Sequence, residues 1–492
     1  MYKKIASNTL AQIISKILTA IISIFLIWIL TKTLPVELYG SYNKVFSYLW
    51  IFAFLADLGL YTIAIREISK GKVPKEKIIG NVLSLRIFLG MIIWVLALLI
   101  ALLLPGYHDV YTFSAIAIIW AFTLISLINS SLLALMQSQL KMEFSLFSVV
   151  FWKIINLALA AYFLLVFFAG NTASYWAFLS VFIVATFAVL INTILNFLYA
   201  KRICEIRLLC DREYIKKIFH MSLPFWFALF LSVVYFKVDV ILLSLLEAPQ
   251  QADISIALYG LPMKIVEVLM VLGWFYLNSM LPSLSAAFEK LDRERLSSLF
   301  WASLKILWSL GIFICLMWNI FKTEIISLIA TQDYIAPTGS LYNSVDVLWV
   351  VFFVLFFHFL ALCCIYVLIA SEKQSLLLRI NIAVSLINII WNIIFIPLYS
   401  FYGAAAVTLW SQIVLFAIAF YIIRNFVKIP WKYIWELWKS LFLAGIIFLC
   451  FSEYFWKVFY SPLEKILIFG PIIFIIYWGI EILFSYKLLY KS

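Results

Sequence analysis

Charge is what this sequence has least of. Asp, Glu, Lys and Arg make up 12% of its 492 residues, while hydrophobic residues make up 66%, against roughly 25% and 45–50% in soluble domains. So large an apolar surplus cannot be hidden in one aqueous core, which excludes a soluble globular protein. Cysteine is scarce too: six in all, with Cys204 and Cys210 between apolar runs and Cys315, Cys363, Cys364 and Cys450 inside them. Neither a disulfide framework nor a metal-ligand spacing results. The three histidines, His108, His220 and His358, are scattered, and no metal site and no cofactor are expected. Long polar loops are missing as well. Connections such as 170–173 and 400–401 are a few residues long, and even 322–346 opens on TEIISLIA, an amphipathic run suited to lying on a surface. That leaves no room for an external catalytic domain. The first apolar run follows a short basic lead, residues 1–9, with no small-residue cleavage site behind it, so it is expected to stay as an anchor.

What the chain does have is apolar runs of 17 or more residues, enough to cross ~30 Å of hydrocarbon at ~1.5 Å per residue. Fourteen are predicted, near 10–31, 45–65, 79–104, 112–134, 144–168, 174–199, 219–246, 256–284, 300–321, 347–370, 376–398, 402–423, 440–456 and 464–484. The thirteenth carries Glu453 and either starts at 440 or begins earlier, among Trp431, Trp435 and Trp438. With the N-terminus inside, the cytoplasmic segments hold 24 of the 36 Lys and Arg and the outside segments 4, Lys32, Lys44, Lys322 and Lys457. By the positive-inside rule both termini are cytoplasmic, in a multi-pass protein of the plasma or inner membrane. The net charge of +12 is then a topology signal rather than a nucleic-acid footprint.

The chain also repeats itself. LYGLPMKIVEVL at 258–269 echoes LYGSYNKVFSYL at 38–49, with Leu, Tyr, Gly, Lys and Leu in register. Each copy is expected to open a helix with a Tyr-Gly turn and to put a lysine, Lys44 or Lys264, four residues past the glycine. A duplicated half with one interior lysine per copy is how a two-lobed transporter is written. The expected domains are an N-lobe over 1–200, a cytoplasmic linker at 201–218, a C-lobe over 219–425 and two appended helices with a tail over 426–492. Pro224, Pro262 and Pro282 are expected to kink the seventh and eighth helices.

Charges inside apolar runs need a reason, since each costs ~2.5–3.5 kcal/mol near the bilayer centre. Lys16, Lys153, Lys237 and Lys264 are the interior cations, suited to a wet cavity that passes an anionic cargo. Lys44, near a helix end, either joins them or snorkels to the interface. Lys264 and Glu267, spaced i,i+3, form either a structural ion pair or a gate opened by cargo. Asp57 and Asp239 either bind a coupling proton or sodium ion or pair with a neighbouring helix. Asn381, Asn388 and Asn392 share a helix face and are expected to bond between helices.

The Tyr-Gly start of the second helix, Asp57-Leu58-Gly59 near its inner end, Asn381, Asn388, Asn392, Ile396-Pro397 and Gly403-Ala404-Ala405 together resemble the polysaccharide (oligosaccharide-lipid) flippases of the multidrug/oligosaccharidyl-lipid/polysaccharide exporter superfamily. The resemblance implies an all-α membrane fold and export of an isoprenoid-pyrophosphate-linked glycan by alternating access, in company with glycan polymerase or assembly proteins. In the related lipid-linked peptidoglycan-precursor flippases, basic residues of the first, second and eighth helices line the cavity; Lys16, Lys44 and Lys264 match them here. Lysine in place of arginine removes bidentate phosphate recognition at those positions. Two other classes compete: a multidrug or cation antiporter, whose cavity should favour carboxylates, and a membrane glycosyltransferase or polymerase, which His358, Glu37 and Asp109 are poorly placed to serve.

The charge asymmetry makes a direct prediction. A topology reporter fused after Lys217 should read as cytoplasmic and one fused near Pro249 as external, and the opposite pair of signals would overturn the orientation.

Overall fold

The computed structural model describes residues 2–139, 141, 143–428, 431–452 and 461–489. Among the described residues there are fourteen α-helices and no strand. They are α1 (Tyr2–Thr33), α2 (Val36–Asp57), α3 (Leu60–Lys70), α4 (Lys75–Leu103), α5 (Val110–Ser138), α6 (Glu143–Tyr162), α7 (Tyr175–Ala200), α8 (Arg212–Leu246), α9 (Pro249–Glu289), α10 (Arg293–Ile329), α11 (Ser344–Ala370), α12 (Gln374–Ile423), α13 (Trp431–Ser452) and α14 (Pro462–Leu489). A π turn, Phe163–Phe167, extends α6. Eleven stretches among the described residues are long and apolar enough to cross a membrane. Glu453, Lys457 and Lys491 lie outside the described residues, as do the side chains of Pro224 and Cys450.

The fourteen helices do not match the fourteen predicted runs one to one. The second predicted helix is two, α2 and α3, because Leu58 (φ 48°) and Gly59 (φ 67°) are both left-handed and break the run. The eleventh and twelfth predicted runs, 376–398 and 402–423, are the two arms of α12, which folds back at Ser400 (φ 53°, ψ −142°), at the expected connection. Its halves are antiparallel: Asn388 Nδ2 donates to Ser411 Oγ at 3.1 Å, the two lying 12 and 11 residues to either side of the turn. Gly403 makes that turn possible, since a Cβ there would strike the Phe395 carbonyl. Asn392 donates to Asn388 Oδ1 at 3.1 Å along the same arm, so of the asparagine face it is Asn388 that is seen to bond across to the other arm, as expected of polar groups in apolar helices. α13 begins at Trp431, the earlier of the two predicted starts. α9 stays helical through Pro262 and Pro282.

The Tyr-Gly pair opens neither helix. α2 starts at Val36 behind Pro35 and α9 at Pro249, so Tyr39-Gly40 and Tyr259-Gly260 lie within helices. Gly40 is there for close approach rather than for a turn, because a Cβ on it would collide with the Asp253 carbonyl. Glycine costs a helix interior ~0.5–1 kcal/mol relative to alanine, a cost accepted where two backbones must touch.

By packing, the chain divides into two compact units, Met1–Ala257 and Leu258–Ser492, so the division falls inside α9. In unit 1, α5 packs against α7, α4, α3 and α2, while α6 packs against α1 and α7, and α2 against α8. Two apolar clusters fill it. One centres on Tyr48, Phe52, Tyr107, Trp120 and Phe178, the other on Ile63, Ile78, Leu132, Met136 and Ile218. Asn196 of α7 ties three helices together, donating to Asn129 Oδ1 (2.8 Å) and accepting from Ser148 Oγ (2.8 Å). The segment before α8 lies along the start of α4. Asn81 Oδ1 accepts from the Asp211 N–H at 2.7 Å, Lys77 pairs with Asp211 at 2.6 Å, and Gly80 admits the Arg207 carbonyl. Lys77 and the Tyr214 N–H hold the Asp211 carboxyl below the usual carboxylate range. In unit 2, α11 is apolar on all sides and buried along its length, with Val351, Leu355, Phe359, Cys364 and Leu368 inside, the signature of a central helix. It packs against α10 and α12, and α10 in turn against α13 and α14. Elsewhere large apolar side chains point outward, among them Leu99, Leu103, Phe187, Leu398 and Phe442, which suits a protein whose solvent is lipid.

Gly40→Ala should therefore cost about 1–3 kcal/mol, the penalty for overpacking, and lower the melting temperature in detergent. Gly445→Ala in α13, where a Cβ meets nothing within 4 Å, should leave it unchanged or raise it slightly.

Candidate functional site

The best-defined polar centre lies in unit 1. Arg86 of α4 is fully buried, and its guanidinium pairs with the carboxylate of Asp57, the last residue of α2. It also donates to the Leu127 carbonyl (2.8 Å) and to the hydroxyls of Ser130 and Ser131 (the latter at 2.6 Å), all on α5. A guanidinium carries five donors and stays charged in any environment of this kind, so its burial in apolar helices demands this density of acceptors. Tyr61, the second residue of α3, hydrogen-bonds Gln137 of α5.

Asp57 also closes one end of a groove between α2 and α5. The groove holds about 420 Å³ and is walled by Phe46, Trp50, Phe54, Phe122 and Thr123. The indole of Trp226 on α8 donates to the Phe54 carbonyl at 3.0 Å, satisfying one of the carbonyls that the end of α2 leaves open.

The second centre of unit 1 is Lys44. Its ammonium is buried, 2.7 Å from Asp253 Oδ1 and 2.8 Å from the Gly106 carbonyl, with the Tyr107 ring 5.6 Å away. Ser41 donates to the other Asp253 oxygen at 2.9 Å, and the Tyr107 and Ser244 hydroxyls meet at 2.7 Å. Lys44 thus neither snorkels nor stands open; it clamps the start of α9 and the α4–α5 turn to α2.

The other predicted residues are dispersed over four helices. Lys16 on α1 is exposed. Lys153 on α6 donates to Ser23 Oγ of α1 at 2.6 Å and lies 5.7 Å from the Trp152 ring. On α8, Lys237 is half-buried and Asp239 buried. In unit 2, Lys264 and Glu267 form the i,i+3 pair at 3.3 Å, each side chain about a third exposed (33% and 31%). Of the alternatives left open by sequence, Asp57 has its structural partner and Lys264 its neighbour. The sequence reading missed both counterions. Arg86 was one of eight basic residues within the predicted runs, which was its signal. Asp253 was hidden by a boundary: the predicted eighth helix began at 256, seven residues late.

A family profile described as polysaccharide biosynthesis protein matches residues 2–288. The chain belongs to that family. A MatE profile overlaps it over residues 224–394, and the two together support the polysaccharide flippases of the MOP superfamily. Among solved structures, the lipid II flippase MurJ in an inward closed conformation matches over 98% of this flippase-family chain and 100% of its own, with a TM-score of 0.77 at 15% identity. An inward-facing multidrug resistance MATE family transporter of the MOP superfamily matches over 85% and 98%, with a TM-score of 0.64 at 12% identity. A MOP superfamily transporter from Pyrococcus furiosus, described by the reverse polarity of its binding pocket, matches over 85% and 93% with a TM-score of 0.54 at 14% identity. At these identities the likeness is one of fold. A comparison with curated proteins gave no match. Family and fold are those of multi-pass membrane transporters and flippases rather than of enzymes.

Asp57→Asn should leave Arg86 as an uncompensated buried charge and destabilise the protein by about 3–5 kcal/mol. Asp57→Leu combined with Arg86→Leu should recover much of that loss. Thermal unfolding in detergent decides; a double variant no more stable than Asp57→Asn would mean that the pair is not the reason for either residue.

Proposed function

We propose that this flippase-family chain carries an isoprenoid-pyrophosphate-linked oligosaccharide, a polysaccharide or O-antigen-type repeat unit, from the inner to the outer leaflet of the plasma membrane. In this reading the sequence-repeat lobes, 1–200 and 219–425, alternate access about the linker at 201–218, both termini are cytoplasmic, and glycan polymerase or assembly proteins receive the product. The observation that carries it is the presence of Lys16, Lys153, Lys237 and Lys264 inside the apolar runs of a chain that the polysaccharide biosynthesis profile matches over 2–288. A polar sugar and its pyrophosphate can leave water only for a wet, cationic path, while the lipid tail stays in hydrocarbon. Lys16, Lys153, Lys237 and Lys264 are the cations we assign to it. Lys44 is committed to Asp253 and supports the path from outside it. A coupling proton or sodium ion belongs to the same proposal, with Asp239 and Glu267 ahead of Asp57, whose charge Arg86 already balances.

One observation favours the multidrug reading: the aromatic groove that ends at Asp57 has the walls an organic cation would want. Asp57, the acid in its lining, is however already spent on a buried cation.

Lys264→Gln tests the proposal. Removing a half-buried charge should leave abundance nearly unchanged yet lower glycan delivery to the outer surface about tenfold or more per molecule of protein, with Lys264→Arg retaining part of it. If Lys264 serves only Glu267, Lys264→Gln should instead lower abundance, and adding Glu267→Gln should restore both abundance and delivery; a fully active double variant removes Lys264 from the cargo path.

A further inference from the structure

Where α10 ends, α11 begins and α12 turns, unit 2 carries a second kind of cavity. α10 breaks at Phe321 (φ −108°, ψ 17°), which puts Lys322 at the bend. The cavity there holds about 480 Å³ and is lined by Lys322, Leu341, Tyr342, Asp346, Trp349 and Tyr402. Tyr342 and Tyr402 lie ring on ring, with centroids 4.3 Å apart and planes within 10°. Trp349 is 44% exposed.

We propose that this cavity is a saccharide-binding subsite that takes the sugar end of the cargo. The proposal rests on the flippase reading for its ligand. A pyranose has apolar C–H faces and a rim of hydroxyls. The indole and phenol faces suit the first, and an ammonium donor beside a carboxylate acceptor suits the second. Both charged groups have capacity to spare. Asp346 uses one oxygen, Oδ2, to accept the Asn343 N–H at 3.1 Å in the capping box of α11. Lys322 has no ion pair among the described residues. Aromatic residues that only anchor a protein at the membrane surface would not need the two charges between them. Trp349 is also a wall of an apolar cavity of about 500 Å³ formed with Leu316, Phe353, Leu441 and Phe448. A polar and an apolar space that share one indole suit an amphiphile. The charge asymmetry of the sequence puts this end of the unit outside, where the sugar of an exported glycolipid would emerge.

Saturation-transfer NMR on the full-length protein in lipid nanodiscs tests this, with the methyl glycosides of glucose, N-acetylglucosamine and glucuronic acid as probes at millimolar concentration. Transfer to at least one glycoside is expected, about fivefold weaker in Trp349→Leu and in Tyr402→Leu and unchanged in Trp274→Leu, an exposed tryptophan elsewhere. Lys322→Gln, which breaks no ion pair among the described residues, should weaken transfer to the glucuronide and provides a reading if an aromatic variant fails to fold. Transfer absent for every glycoside, or equal in wild type and these variants, overturns the subsite. Glycan delivery in cells separates the two ideas. Delivery with sugar binding unmoved by the variants removes the subsite and keeps the flippase; variant-sensitive binding without delivery does the reverse.

Discussion

A charge inside hydrocarbon must be matched there, because water is not available to match it and the desolvation cost is several kcal/mol. Arg86 is where this constraint is most severe. Its side chain is fully buried and cannot shed its proton, so the surroundings have to supply acceptors, and they do so for both terminal nitrogens of the fork while Nε goes without one among the described residues. They come from two elements: a carboxylate at the very end of α2, and a carbonyl and two hydroxyls along a short length of α5. The positions of α2, α4 and α5 are thereby fixed to one another at the level where α2 breaks. The left-handed Leu58 and Gly59 follow immediately, so the break occurs where Asp57 is already held. Above it, α2 and α5 line the aromatic groove; beyond it, α3 joins the second apolar cluster.

Lys44 obeys the same rule at the other end of α2. Its charge is answered by Asp253 and by a carbonyl of the α4–α5 turn, and Gly40, one turn away, lets the backbone that carries Asp253 come close enough. A lysine that looks from sequence like part of a cargo path is therefore a fastening. Fastenings and paths use the same residues, and only the partner tells them apart. Lys264 stands between the two cases, since Glu267 is beside it but both remain a third exposed. That balance of pairing and access is compatible with the role proposed for it, to hold and then release an anion.

The chain's polar uncharged residues follow the same economy. Asn196 and Asn388 each join helices whose contact faces are otherwise apolar, and each sits in the packed interior of its own unit. Hydrogen bonds of this kind are worth only ~1–2 kcal/mol apiece in membranes, but they specify which faces meet where apolar surfaces alone would allow sliding. The cavity at Trp349 differs in having charged groups with capacity left over, and that difference is why it reads as a site rather than as a joint.

Composition and run length by themselves determined that this is an all-helical membrane protein, because an apolar surplus of this size has no other place to go and hydrocarbon tolerates only closed hydrogen-bonding ladders. The repeat, the positions of the interior lysines and the order of the loose motifs were likewise legible, and they sufficed to identify the flippase family. The sequence could not assign partners. Asp57 and Arg86 are 29 residues apart and Lys44 and Asp253 more than 200, and no periodicity along one helix says which face of another it will meet. Nor could it tell a glycine needed for a turn from one needed for contact, since Gly40 satisfies either pattern until the backbone of Asp253 is brought against it. The helix break at Leu58 was hidden for the same reason, whereas those at Phe321 and Ser400 fall where predicted runs end: hydrophobicity marks how long a run is, while a bend inside a run is decided by what the neighbouring helices bring to that point.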